Sequence, residues 1–94
     1  MSNIECLTNN NYKVLSYLYD KKDKNNLVKI TQSELSKEIN LNRTTINTIF
    51  KELILNGFLI HDKSRVGRYY LTNLAVKTIE LFRKSQNIKE GKVD

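Results

Sequence analysis

Between Thr31 and Lys51 the chain reads TQSELSKEINLNRTTINTIFK, and its apolar residues fall at Leu35, Ile39, Leu41, Ile46 and Ile49. Two helices joined by a tight turn of three residues place all five on one inward surface. The punctuation agrees with that spacing. Thr31 and Glu34 form a Thr-x-x-Glu capping box, in which hydroxyl and carboxylate each meet a backbone N–H that the helix leaves free. A helix is therefore expected over Thr31–Ile39. Asn40 stands in the turn, where the backbone tends to be left-handed and Asn is tolerated next after Gly. Asn42 is the expected cap of the following helix, which runs to about Asn56, and Gly57 supplies its stop. Ile46, Ile49, Phe50, Leu53 and Ile54 form the inward stripe of that second helix.

The same helix turns Arg43, Thr44, Thr45, Asn47, Thr48 and Lys51 towards solvent. None of these is a carboxylate. Base edges in a DNA major groove offer donors and acceptors, and phosphates repel acids, so this is the kind of face that groove requires. Downstream, Phe58–His61 and Tyr69–Thr72 read as two antiparallel strands. Asp62–Arg68 forms the loop between them, with Lys63, Arg65 and Arg68 as its charges and Gly67 giving it freedom to turn. The expected architecture is mainly α with a small β-hairpin. Its order is α-β-α-α-β-β-α, a winged helix-turn-helix.

Two further helices flank this unit. Thr8–Lys22 carries Tyr12, Leu15, Leu18 and Tyr19 at helical steps, with Leu7, Val14 and Tyr17 widening the face. Thr8 or one of Asn9, Asn10 and Asn11 is the expected cap. The polar run DKKDKNN has no periodicity and reads as an exposed loop. Leu27, Val28 and Ile30 then make a short strand. Asn73 is expected to cap a last helix to about Asn87, carrying Leu74, Val76, Ile79, Leu81 and Phe82. The whole chain, 1–94, reads as one domain, with 1–7 and 88–94 expected to be flexible.

Composition narrows the function. The 94 residues carry a formal charge of +6, which favours a polyanionic partner. Position decides between nucleic acid and plain solubility. Ile39–Lys51 and Lys63–Lys77 hold no acidic residue, whereas acids gather at Asp20, Asp23, Glu34, Glu38 and Glu80. No apolar run approaches the roughly 20 residues that span a bilayer, and the opening residues lack a secretory signal pattern. A membrane partner is not expected. One cysteine, Cys6, excludes an internal disulfide and fits a reducing compartment, so a cytoplasmic location is expected. The bias towards Asn, Lys and Ile, without Pro or Trp, points to an AT-rich bacterial genome or a plasmid or phage within one.

Individual residues take distinct expected roles. Arg43 is the leading candidate for a base contact, since a guanidinium pairs bidentately with guanine; a phosphate contact is the alternative. Asn47 is suited to adenine. Thr44, Thr45 and Thr48 suit thymine methyl groups or phosphates, and Lys51 suits a phosphate. Gln32 and Ser33, opening the first helix of the pair, and Asn42, opening the second, offer polar groups to the backbone of a duplex. Lys63, Arg65 and Arg68 would meet a minor groove or the adjacent phosphates. His61 stands alone, without the second His, Cys pair or acidic cluster a metal site needs. No nucleophile motif, Gly-rich phosphate loop or paired catalytic carboxylates appear, so neither an enzyme nor a cofactor is expected.

The terminal helices carry more apolar surface than a small monomer requires. The last helix has apolar spacings at both 75/79/82 and 74/78/81. A two-fold homodimer is expected, with Tyr12, Leu15, Tyr19, Leu74, Thr78, Leu81 and Phe82 at its interface and a palindromic or repeated site on double-stranded DNA.

The general pattern over Asn10 to about Lys84 resembles the winged-helix superfamily of MarR- and ArsR-type regulators. A narrower likeness lies in SRVGRYYLTNLAVKTIELFRK, Ser64–Lys84. Its Arg-Val-Gly-Arg tip, the Leu-Thr before the last helix and that helix's apolar pattern are similar to the TubR family of centromere-binding adaptors. Those proteins serve plasmid and phage partition systems built on a tubulin-like GTPase. The resemblance implies a dimer that binds repeated sites, links them to a tubulin/FtsZ-like filament and represses its own operon. It assigns Arg65 and Arg68 to wing contacts and Arg43–Lys51 to the recognition helix. The alternative is a MarR/ArsR-like transcriptional regulator responding to a ligand or signal, although no effector pocket is legible in the sequence.

Overall fold

The computed structural model describes residues 9–93. Among these residues, four helices and three strands follow in the order α1 (Asn9–Lys21), β1 (Leu27–Lys29), α2 (Gln32–Ile39), α3 (Arg43–Leu55), β2 (Leu59–His61), β3 (Arg68–Leu71) and α4 (Asn73–Val93). This is the winged helix-turn-helix order that the sequence led us to expect. The sheet runs β1-β3-β2, antiparallel throughout.

The α2–α3 pair closes as its residue types dictate. Thr31 accepts from the Glu34 N–H while the Glu34 carboxylate accepts from the Thr31 N–H, which completes the capping box. Asn40 takes the left-handed conformation at φ 58°, ψ 46°. The Leu41 N–H then reaches the Ser36 carbonyl, and the Ser36 hydroxyl donates to the Leu41 carbonyl, so the turn is tied from both sides. Asn42 accepts from the Thr45 N–H and opens α3. The end of α3 repeats the device. Gly57 sits at φ +83° and the Phe58 N–H returns to the Leu53 carbonyl at 2.9 Å. Both Leu53 and Phe58 are fully buried, so the closure is also an apolar contact.

One core underlies all elements. Val14, Leu15 and Leu18 of α1 meet Leu35, Ile46, Leu53, Phe58 and Ile79 with no solvent exposure. Each such side chain contributes about 1.5–3 kcal/mol through burial, and the set orients α3 against α1 and the sheet.

Several expectations need correction. Ile54 is 40% exposed and lies outside the inward stripe, because the helix has rotated past the core by its last turn. Ile30 has left the strand, yet its N–H donates to the Gly67 carbonyl at 2.8 Å. Asn11 is no cap. Its side chain is buried and donates to Glu52 at 2.8 Å, which joins α1 to α3. Thr72, not Asn73, caps α4: its hydroxyl accepts from the Ala75 N–H and donates to the Gly57 carbonyl. The polar run after α1 is an organised turn, in which the Asp23 carboxylate accepts from the N–H groups of Asn25 and Leu27. These bonds, aided by Lys29 and Lys22, hold the Asp23 carboxyl below its ordinary pKa. Finally, α4 continues to Val93 instead of ending near Asn87, since no Pro interrupts it and a lone Gly91 costs only about 1 kcal/mol. The segment 1–7, Leu7 and Thr8 lie outside the described residues.

Candidate nucleic-acid interface

Capping fixes the start of α3, and the core stripe fixes its rotation. With Ile46, Ile49, Phe50 and Leu53 inward, Arg43, Thr44, Asn47, Thr48 and Lys51 are left exposed. Thr45 is only half-exposed, and the Asn42 side-chain oxygen is already engaged by its N–H. These two hold the helix end, and the remaining five form its outer face.

The wing is held against α2 by Gly67. This residue is buried at φ +74°. A Cβ there would lie 3.3 Å from the Thr31 methyl and 3.4 Å from the Ile30 carbonyl. Gly67 therefore seats the wing on the start of α2, a tighter role than freedom to turn. At the other end of the loop the Asp62 carboxylate accepts from the Ser64 N–H at 3.0 Å and from the Ser64 hydroxyl at 2.5 Å. Those bonds, then Arg68 and Arg65, hold the Asp62 carboxyl below its ordinary pKa.

Between wing, α2 and α3 runs a groove of about 370 Å³. It brings together Gln32, Ser33, Arg43, Lys63 and Arg65, residues drawn from three separate stretches of sequence. A shallower depression continues from Gln32 and Arg43 along Thr44 and Asn47. No acidic side chain lines either hollow. Arg43, Lys63 and Arg65 make no side-chain hydrogen bond or ion pair among the described residues, so their donors point to solvent. Lys51 lies further along α3, outside both hollows. Arg68 is not at the wing tip. It opens β3, half-buried and in register opposite Lys29.

The sequence reading set His61 aside. The structure places it in the groove, stacked on Tyr69 with ring centroids 4.8 Å apart. Tyr69 in turn meets Phe50 edge-on at 4.7 Å. This aromatic column ties α3 to the wing strands. The available signal was strand alternation, which puts His61 opposite Tyr69 on the inner face of the hairpin.

The proposed interface residues of the terminal helices separate into two groups. Leu15 is fully buried and Thr78 is 5% exposed, so both belong to the protein's own core and offer no surface to a partner. Tyr12 and Phe82 are half-buried and pack against each other, with ring centroids 5.3 Å apart and planes tilted by 31°. Tyr19 donates to Glu80 at 3.1 Å. Leu74 and Leu81 remain 41% and 65% exposed. The 75/79/82 arc thus faces α1, and Leu74 and Leu81 face outward. A separate hollow, an open cleft of about 470 Å³, lies between α1, β1 and α2 and is lined by Tyr17, Lys21, Lys29, Glu34 and Glu38 among others. Burial, then Glu38 and Glu34, push the Tyr17 phenol above its ordinary pKa.

No helix among the described residues is long and apolar enough to cross a membrane. Among the same residues no cluster of three or more His, Cys, Asp or Glu is placed to hold a metal ion. Residues 28–60, which run from β1 through α2 and α3 into β2, match the family model of winged helix-turn-helix DNA-binding domains. No curated protein and no solved structure matches the chain.

Proposed function

We propose that the protein recognises double-stranded DNA by sequence, with α3 in the major groove and the wing on the adjacent backbone or minor groove. The observation that carries this reading is the acid-free surface. Arg43, Lys63 and Arg65 converge on one groove beside the exposed Thr44, Asn47 and Thr48. The matched segment of a DNA-binding family ends within the first wing strand and supports the same reading. Arg43 and Asn47 are the base-reading residues. Gln32, Ser33, Lys51 and the wing charges meet phosphates. A mobility-shift titration against the DNA upstream of the coding sequence tests it. Affinity should fall steeply with salt, by close to 0.9 in log–log slope per neutralised phosphate. Salt-insensitive binding, or none at low salt, overturns it.

The finer reading is a homodimer acting as a partition adaptor. The exposed Leu74 and Leu81 supply its subunit surface, edged by the half-buried Tyr12, Tyr19 and Phe82, and two recognition helices spaced about 34–36 Å apart would suit a repeated site. Support for the partition role is the likeness of Ser64–Lys84 to the TubR family, so a tubulin/FtsZ-like GTPase is the proposed partner. Light scattering should return about twice 11.0 kDa. Filaments of such a GTPase should co-sediment with the protein on clustered repeats, where multivalency raises avidity, and far less with free protein. A ligand-responsive regulator is the second reading, favoured by the open cleft that touches α2 at Glu34 and Glu38. Release of a single operator by a small molecule would decide for it.

A further inference from the structure

We infer that His61 is a proton-linked phosphate contact, which makes duplex binding tighten as pH falls. This rests on the DNA-binding reading above and adds a residue to it. Four observations carry it. His61 is exposed and lines the groove beside Arg43, Lys63 and Arg65. Its ring is held flat on Tyr69 at 4.8 Å and 19°, so it is oriented before any ligand arrives. No carboxylate lines that groove, so nothing there competes with a phosphate for the imidazole. It is also the chain's one histidine.

The groups around it come from each neighbouring element. From α3 comes Arg43, from β3 Tyr69, and from the wing Lys63 and Arg65. Thr31, Gln32 and Ser33 of the α2 end are uncharged, and Glu34 just beyond is committed to its capping box. Asp62, next in sequence, does not line the groove, and its Oδ1 accepts from both the N–H and the hydroxyl of Ser64. In the complex a proton added to His61 faces a phosphate. Binding and protonation therefore favour one another, which is thermodynamic linkage. An imidazole changes charge between about pH 5 and 8, so the coupling falls in a range that other side chains barely sample.

The measurement uses the full-length protein and a random-sequence duplex of about 30 base pairs at low salt, since a phosphate contact needs no particular sequence. Wild-type affinity should rise about three- to tenfold from pH 8 to pH 5.5, with a salt slope steeper by close to 0.9 at the lower pH. His61→Gln should remove the difference, and His61→Lys should bind tightly at both pH values. The single imidazole C–H resonance, followed by NMR without any substitution, should titrate at higher pH in the presence of duplex. An unmoved titration, or a His61→Gln protein that keeps the wild-type pH dependence, overturns the inference while leaving DNA binding intact. A wild-type protein that binds no duplex at either pH overturns both.

Discussion

The side of the molecule built by α1 and α4 and the side built by α3 and the wing treat their polar residues in opposite ways. On the first, Arg83, Asp20, Tyr19 and Glu80 are tied to one another. Arg83 pairs with Asp20 at 3.0 Å, donates to Ser16 at 2.7 Å and lies over the Tyr19 ring, while Tyr19 donates to Glu80. On the second, Arg43, Lys63 and Arg65 have no such bonds, and small groups such as Thr31, Asn42 and Asp62 are engaged with partners two or three residues away. The lesson is that the fold is closed on one face and left open on the other. Side chains that make no hydrogen bond within the described residues remain available to a ligand.

The largest effect should come from the closed side. Leu15→Ala removes a fully buried side chain of α1 and should cost about 2–5 kcal/mol of stability. Denaturant titration reads it. DNA affinity of the remaining folded protein should be unchanged. A loss that grows with dilution would instead return Leu15 to a subunit interface and break the comparison.

Next come two substitutions that divide the open side. Arg43→Ala should weaken operator binding by about 1–3 kcal/mol and relax preference at one base position. Stability should stay within about 0.5 kcal/mol of wild type. Gly67→Ala forces a side chain into φ +74° and against Thr31, at a cost of about 1–3 kcal/mol in stability. Because it displaces the wing, it should weaken binding evenly across sequences. Base-substitution profiles of the two variants check the contrast. An Arg43→Ala profile identical to that of wild type reduces Arg43 to a backbone contact.

Most of the fold was legible because local chemistry and core spacing agree from Thr31 to Gly57. The capping box, the left-handed Asn40, the Asn42 cap and the Gly57 stop are each decided within a few residues. What the sequence hid was decided at a distance. Asn11 reads as a cap but joins Glu52, 41 positions away. Thr78 and Leu81 share an apolar spacing, yet one is buried and the other exposed, since only packing against α1 tells the two sides of α4 apart. In the candidate site, Arg43 and Arg65 were evident from charge. His61 was not, because its place depends on pairing with Tyr69 across the hairpin.

A smaller effect should follow from Arg83→Met. This ion pair is partly exposed, with side-chain exposures of 36% for Arg83 and 59% for Asp20, so its loss should cost no more than about 1 kcal/mol. Thermal melting measures it, and DNA affinity should not move. A binding defect in this variant, at unchanged stability, would mean that the closed side also contacts the ligand or sets the dimer.

Asp62 should give the smallest effect and the sharpest test of where the two regimes meet. It is the one acid inside the wing loop, and its carboxylate is taken up by Ser64. Those bonds and the nearby Arg68 and Arg65 lower its pKa in the folded state. A lowered folded pKa means that the contribution is present above the ordinary carboxylate pKa and lost as pH falls through the folded one. At neutral pH the wing turn should therefore be ordered, and it should loosen only in acid. The Ser64 amide proton, followed by NMR and hydrogen exchange, should report that change alone. Asp62→Asn keeps an oxygen to accept from Ser64 but removes the charge. It should abolish the acid transition of the Ser64 amide, leave the wing ordered at pH 7, and tighten duplex binding slightly by removing a repulsion from phosphate. If Asp62→Asn instead disorders the wing at pH 7, the turn depends on the carboxylate's charge, and the open face is held by more than its backbone.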